Sequence, residues 1–533
     1  MFRIVWVLIF FLLGGISRVS SWAQEGAYPH RDQERESEDT LIQAVEARVQ
    51  AYRTFVTPHY TSPALLSGQY ETSLSQVSLS WDTWHHEDLV PKDQGTHFSP
   101  FSVQSASLIH LSSSTSIWGR ASYTYAHREG VEGRESAHFD LTAPYVSVDT
   151  VGGNFDSECY AFSGGYSHRL ASGWRWGVEG AYEAFQERRA RDPRVLNNVG
   201  DLHLKTALGY SLPTRVVALS LGARIYKQVH QMDFLNPKGA QYVFNHYGFD
   251  EYSLRFGGNT EAKAFNAYGW DIRGDLQPRS SNGFFATLDY RHLSVEYTLK
   301  SRNELRLSLL SKHRASLSLS YRSTHLSSFS WAIANHLEVE AKRGDEYLYG
   351  MQDGLTYPLL AVQEANYGQW FVSEALQGLL SLERPYGRWE ILPTMALDFV
   401  RSERRQSLAK EQFTLLRPQI SVRYHQFLRN HPRLVLRAEV SLEQRIPLED
   451  LLRFGTLPMS DFHRPFLEKF RALSVRNHKL QTVPQTYIAP SLRIEYAFPK
   501  SKMVLYAQSR VAICYQQYHL QRQLIHAMVG LLF

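Results

Sequence analysis

Gly173–Gln186 reads GWRWGVEGAYEAFQ, and its apolar and polar side chains alternate from end to end. One parity holds Trp174, Trp176, Val178 and Tyr182; the other holds Arg175, Glu179 and Glu183. A strand sends successive side chains to opposite faces, so this is a strand with one apolar and one polar face. Leu434–Arg445 repeats the pattern, with Leu434, Leu436, Val440 and Leu442 opposing Arg437, Glu439, Glu443 and Arg445. So do Asp201–Ser211 and Ile488–Phe498, whose polar faces carry His203 and Lys205 and then Arg493 and Glu495. Length is the constraint. These runs last about ten to fourteen residues, whereas strands of soluble proteins average roughly five or six and a tilted bilayer-crossing strand needs about 9–11. Leu305–Arg322 is longer still, and a hairpin turn at Lys312-His313 would set its leucines on opposite faces, so it reads as one strand.

The connections sort by length. Short ones carry turn residues, as at Ala171-Ser172-Gly173, Pro213-Thr214, Arg384–Gly387 and Asn430-His431-Pro432. Longer polar segments lie near residues 129–156, 188–199, 230–262, 344–363, 403–411 and 447–484. Short turns at one end and long loops at the other are the habit of outer-membrane barrels. The expected fold is therefore all-β: a transmembrane antiparallel up-and-down β-barrel over residues 68–533, of about eighteen strands with sixteen as the alternative count. The chain closes on an apolar stripe, Ile525, Ala527, Val529, Leu531 and Phe533, all of one parity. A last strand that meets lipid and pairs with the first strand needs such a face. It also resembles the recognition strand that bacterial outer-membrane barrels present to their insertion machinery.

At the other end, Arg3, the apolar run Ile4–Leu13 and the small residues Ser21 and Ala23 predict a signal peptide over 1–23, cleaved after Ala23. Residues 24–67 form the expected N-terminal periplasmic segment, a plug or a mouth contact. In it Leu41, Val45, Val49, Tyr52 and Val56 recur at helical spacing.

Pro144–Asn154, PYVSVDTVGGN, and Arg191–Asp201, RDPRVLNNVGD, resemble segments of an uncharacterised outer-membrane β-barrel family of Bacteroidota, a domain of unknown function. That resemblance implies the barrel fold over nearly the whole exported chain and carries no site residues with it. Ser62-Pro63-Ala64-Leu65-Leu66 is also similar to the Asn-Pro-Ala-Gly-Leu motif that opens long-chain fatty-acid transport barrels, with Ser62 and Leu65 in place of its Asn and Gly.

Chemistry-bearing motifs are sparse. The sequence holds neither a phosphate-binding glycine loop nor a Gly-x-Ser-x-Gly elbow. His85-His86-Glu87-Asp88 reads as a solvated loop rather than a metal site, since adjacent residues rarely face one ion. Cys159 and Cys514 are too few for a disulfide framework, and whether they bridge stays open. A net charge of +5 is too mild for nucleic acid. The expected lumen face carries Arg175, Glu179, Glu183, His203, Lys205, Arg224, Arg437, Glu439, Arg493 and Glu495. Its mixed signs suit cross-strand ion pairs more than a strongly ion-selective pore. The chain is expected to be no enzyme and to take no cofactor. Its expected partners are outer-membrane lipid, the insertion machinery, and periplasmic or surface proteins. The leading expectation is a channel or binding barrel for a solute. The alternatives are a scaffold for secretion or surface assembly and, third, a lipid hydrolase.

Overall fold

The computed structural model describes residues 57–533 apart from 69–71, 87–91, 237, 239–242, 258–261, 281, 301–303, 327, 355, 385–386, 429–432, 456–463, 499–500, 502 and 517–518. The expected signal peptide and the helical pattern of 41–56 lie outside the described residues. Among the described residues, eighteen strands close into one antiparallel barrel. They are β1 (Leu74–His86), β2 (His97–His110), β3 (Thr115–Val131), β5 (Gly153–Arg169), β6 (Trp174–Arg188), β7 (Arg194–Ser211), β8 (Arg215–Asp233), β11 (Lys263–Pro278), β12 (Gly283–Leu299), β13 (Leu305–Leu326) and β14 (Phe329–Tyr349), followed by β15 (Leu359–Arg384), β16 (Gly387–Arg404), β17 (Lys410–Phe427), β18 (Leu434–Arg453), β19 (Gln485–Ala497), β20 (Val504–Gln516) and β21 (His519–Leu532). Closure runs through β1 and β21, with Gln76 opposite Leu532. Three shorter strands, β4 (Val146–Asp149), β9 (Val243–Gly248) and β10 (Glu251–Ser253), form a separate sheet, and two helices, α1 (Phe139–Thr142) and α2 (Arg464–Thr482), lie in the loops.

The outer surface is apolar. Trp174, Trp176, Val178, Leu204, Leu208, Leu219, Val440 and Leu492 are all exposed there, and all but Leu208 have a polar inner neighbour across the pleat. Trp174, Phe284, Trp331, Trp389 and Phe533 ring the short-turn end. Tyr182 stands about eight residues along β6 from Trp174, roughly 20 Å of height at a strand tilt near 40°. That matches the band of about 25 Å that lipid-facing barrels expose between aromatic girdles.

Leu305–Arg322 lies within the single strand β13, as its leucine parity requires. Near the loop end, a register shift between Tyr297 and Thr298 skips Leu307 and turns it inward. Leu307 therefore leaves the outer stripe and packs with Tyr297, Leu299 and Leu310 inside. Three expected loops shrink in the same region: 188–199, 344–363 and 403–411 reduce to 189–193, 350–358 and 405–409. Alternation continues there beyond the apolar band, as at buried Val195, Asn197 and Val199, so the strands continue too.

Candidate functional site

Three of the long connections turn into the barrel rather than away from it. The β3–β5 connection, residues 132–152, carries α1 down the lumen. Lys312 Nζ donates to the Asp140 carbonyl at 3.0 Å. Lys312 lies about seven residues in from the loop end of β13, roughly 20 Å along the strand. Ala137 and Tyr145 join the inward side chains Tyr226, Phe265, Tyr297 and Tyr367 in the largest buried cluster. The β8–β11 connection, residues 234–262, supplies β9 and β10; β4 pairs with β9, Val146 opposite His246. The β18–β19 connection, residues 454–484, supplies α2. Leu467, Phe470, Ser474 and His478 recur there every three or four residues, the spacing of one helix face. Phe470 and Phe466 pack on Phe244, Val146 and Val148. These segments form a cap on the long-loop mouth.

Buried charge ties the cap to nearly opposite walls. On one side Arg189, between β6 and β7, bonds Glu135 at 2.9 Å and also Asp149, with all three side chains fully buried. Glu135 Oε2 is buried with no donor reaching it, and it faces Asp149. Burial and the Asp149 charge push the Glu135 carboxyl well above its usual range. Burial alone would raise Asp149 as well, but the Arg189 guanidinium holds it below the usual range. The opposed shifts favour a proton on Glu135 and the charge on Asp149, which faces the Arg189 guanidinium. Asn197 Nδ2 donates to the Glu135 carbonyl at 2.8 Å. On the other side Arg404 bonds Glu346 at 2.8 Å and Glu251 at 2.6 Å, and the Tyr145 hydroxyl donates to Glu346 at 3.1 Å. Tyr145 fits because Gly344 has no side chain: a Cβ there would lie 2.0 Å from its hydroxyl. Arg471 of α2 bonds Asp250 at 2.6 Å, and His478 lies 2.9 Å from Glu411 on β17.

At the short-turn end, residues 57–66 lie inside the barrel along one wall. Ser62 bonds Ser220 at 2.8 Å, and His59 bonds Thr287 at 2.8 Å and Ser320 at 2.9 Å. Leu65 packs on Val216 and Ala218. Pro63 presses against Gly177, where a Cβ would come within 2.5 Å of the Pro63 carbonyl. Two of the cavities left among the described residues lie mainly on the wall from β1 to β12. One of about 660 Å³ adjoins Tyr60 and Thr61; one of about 450 Å³ lies between β3 and β12, past His203 and Asp271.

The residues read from the sequence as lumen-facing sit on this inner wall, mostly in pairs. Arg175 donates to Ser211 at 3.1 Å, Trp118 donates to Glu179 at 3.3 Å, and Glu183 meets His138 of the cap at 3.3 Å. His203 bonds Asp271 at 2.6 Å, and Arg224 bonds Asp201 at 2.9 Å. Arg437 and Arg493 both bond Glu495, at 2.8 and 2.7 Å, and Arg423 bonds Glu439 at 2.8 Å. Lys205 lines the larger cavity. The cap's anchors were not among the residues singled out from sequence. The two stretches that carried the family resemblance are linked through Arg189, which lies just outside the second: it bonds Asp149 of the first and donates to the Pro193 carbonyl of the second at 2.8 Å.

Among the described residues no group of His, Cys, Asp and Glu is placed to hold a metal ion, and Cys159 and Cys514 are unbridged. Ser318 and His336 are 2.8 Å apart, but Glu338 is 3.8 Å from the other ring nitrogen and is bonded to Arg314. That spacing is too long for a nucleophile–base–acid chain.

An apolar exterior, a closed eighteen-strand wall and a lumen occupied by the chain's own loops define a capped barrel of the membrane-spanning class. A family of unknown function, DUF6850, matches residues 63–533, and the chain belongs to it. No curated protein matches the sequence. Among solved structures, a variant of the ferric enterobactin receptor of Pseudomonas aeruginosa is 9% identical, covering 86% of this chain and 80% of its own, with a TM-score of 0.38. The ferric preacinetobactin receptor of Acinetobacter baumannii is 7% identical over 86% and 80%, with a TM-score of 0.36. A bacterial polysaccharide outer membrane secretin is 10% identical over 85% and 97%, with a TM-score of 0.30.

Proposed function

We propose that this protein is an outer-membrane barrel that admits a small solute into its lumen and releases it when the cap moves. The observation that carries this reading is the space left inside the wall, cavities of about 660 and 450 Å³, the larger against Tyr60 and Thr61. A barrel of this strand number encloses a channel unless something fills it. Here the filling is loop and N-terminal segment, held by anchors that can be released without touching the ladder. The cap side is outward and the short turns face the periplasm, following the loop habit of such barrels. The test is conductance of the full chain in planar bilayers. Wild type should show little current, and Asp149→Asn, which removes the carboxylate facing Arg189, should show discrete openings. An Asp149→Asn protein whose 132–152 segment is cut by protease, yet which passes no current, would sink the transport reading.

A second reading, a scaffold, has one observation in its favour. The hairpin of β14 and β15 projects beyond the apolar band, and Leu348, Met351, Leu359 and Leu360 at its end are 43–87% exposed. Apolar side chains clustered at a protruding tip suit a protein partner. Stable capture of one surface protein, lost on Met351→Asp and Leu360→Asp, would support it.

A further inference from the structure

We propose that the larger cavity is a binding site for a small hydroxyl-rich anion, a sugar acid or sugar phosphate; this rests on the solute reading above and names its substrate class. Many cations elsewhere on the inner wall are paired with carboxylates. Arg224, Arg273, Arg291 and Arg423 each bond a carboxylate on their own or a facing strand. Two cations at this cavity are different. Among the described residues, neither Arg120 nor Lys205 forms a hydrogen bond or an ion pair, and both line the cavity. Strand register sets Lys205 directly opposite Glu179. That carboxylate instead accepts the Trp118 indole N–H at 3.3 Å. The third cation, Arg493, is committed to Glu495 at 2.7 Å and lies over the Tyr506 ring at 4.0 Å.

The result is two positive groups with no bonded carboxylate: Glu179 is engaged by Trp118, and Asp271, whose charge Lys205 also faces across Gly222, is bonded to His203. An anion bound there would take charge-assisted hydrogen bonds, the stronger kind. The rest of the wall sets the other half of the ligand. Gln104 and Ser122 offer amide and hydroxyl groups, and Trp118 and Tyr60 offer rings. Trp118 is seated by Gly165, where a Cβ would lie 2.3 Å from the indole. Hydroxyl-bonding groups beside an aromatic ring suit a sugar: its hydroxyls meet the polar wall and its C–H faces meet the ring. A volume of about 660 Å³ is within the 300–1,000 Å³ of small-molecule sites. Arg120 also lines the second cavity, so it stands where a solute would pass from one to the other.

The test is calorimetric titration of the full chain in detergent at low salt, with glucuronate, glucose 6-phosphate, glucose and acetate as probes. Binding of glucuronate or glucose 6-phosphate at least tenfold tighter than glucose and acetate supports the site, and the tighter of the two tells carboxylate from phosphate. Arg120→Gln and Lys205→Gln should each weaken that binding at least tenfold with heat-modifiable migration unchanged. If either variant misfolds, Arg120→Lys should keep the binding that Arg120→Gln loses. Equal binding of glucose, unchanged affinity in the folded Gln variants, or no binding by any probe overturns the proposal. Because binding is read in detergent and transport in bilayers, a protein that binds while its protease-cleaved Asp149→Asn variant passes no current sinks the transport reading alone. A chain that conducts without binding sinks this one alone.

Discussion

Single buried groups hold the cap, and Glu135 is the most informative of them. Its pKa is raised, so its contribution to cap closure is present below its usual value near 4.5 and is lost as pH rises through the folded value. Asp149 has the opposite sign: its lowered pKa contributes above the usual carboxylate range and is lost as pH falls through the folded value. Together they make the latch firmest in mild acid and weaker toward alkali. Protease cleavage within 132–152 should therefore be slower near pH 6 than near pH 9. Gln carries the N–H that a protonated Glu135 supplies as O–H, so Glu135→Gln should keep the cap closed and flatten that pH dependence. Asp149→Asn leaves the buried guanidinium only Glu135, whose ionisation burial opposes, and should make the segment more cleavable than in wild type. A wild-type protein cleaved faster in acid would contradict a proton held on Glu135. Gly344 tests the same cap by shape. Gly344→Val meets the Tyr145 hydroxyl and should loosen the cap by about 1–3 kcal/mol, as overpacking does. Gly274→Ala, with nothing within 4 Å of the added carbon, should change little.

At the scale of the strand, the last element closes the wall. The Phe533 carbonyl accepts from the Ser75 N–H at 2.8 Å and its N–H donates back at 3.0 Å, while Val529 and Ile525 are exposed on the outer face. Deleting Phe533 removes that final bonded pair and the outermost ring of the stripe. Loss of the heat-modifiable, folded band on a gel is the expected outcome, and a deletion that still folds would show that closure does not depend on it. This strand, like β6 and β18, is legible in sequence because one parity meets lipid and the other does not, and that contrast repeats every second residue. Long-range partners inside the barrel have no such period. Nothing in VSVDT announces that Asp149 will face Arg189, since the two are brought together by how the loop enters the lumen. Glu179 and Lys205 illustrate the same limit. Alternation assigns both to one face, but only the geometry shows that Trp118 takes the carboxylate and leaves the lysine available. The bulge at Tyr297 is a third case, because one skipped residue moves Leu307 across the wall while the sequence parity continues unchanged.

For the whole molecule, the wall and its contents are separable. Each barrel strand bonds its two neighbours around a closed ring, so the backbone is satisfied without help from the lumen. Replacing residues 134–149 by a short Gly-Ser linker leaves β3 and β5 paired, as at Val131 and Gly153. It removes α1, β4, the Arg189 latch and Tyr145, and it uncovers Tyr226, Phe265 and Tyr297. The shortened protein should fold and remain heat-modifiable, at a lower melting temperature because that buried cluster is lost. It should also conduct more than wild type, since the segment tied to the β6–β7 wall is gone, although β10 and α2 stay tied to β16 and β17. Residues 57–66 differ in reach. Their contacts run from Gly177 on β6 through Ser220 on β8 to Ser320 on β13, one side of the ring. Segments along one wall narrow a channel without closing it. Deleting residues 57–66 alone should therefore leave the conductance low, and deleting them together with 134–149 should raise the step size above that of the cap deletion alone. Bilayer recordings of the three proteins separate the roles. A large current on removing 57–66 alone would place the gate at the short-turn end and make the cap a stabilising cover.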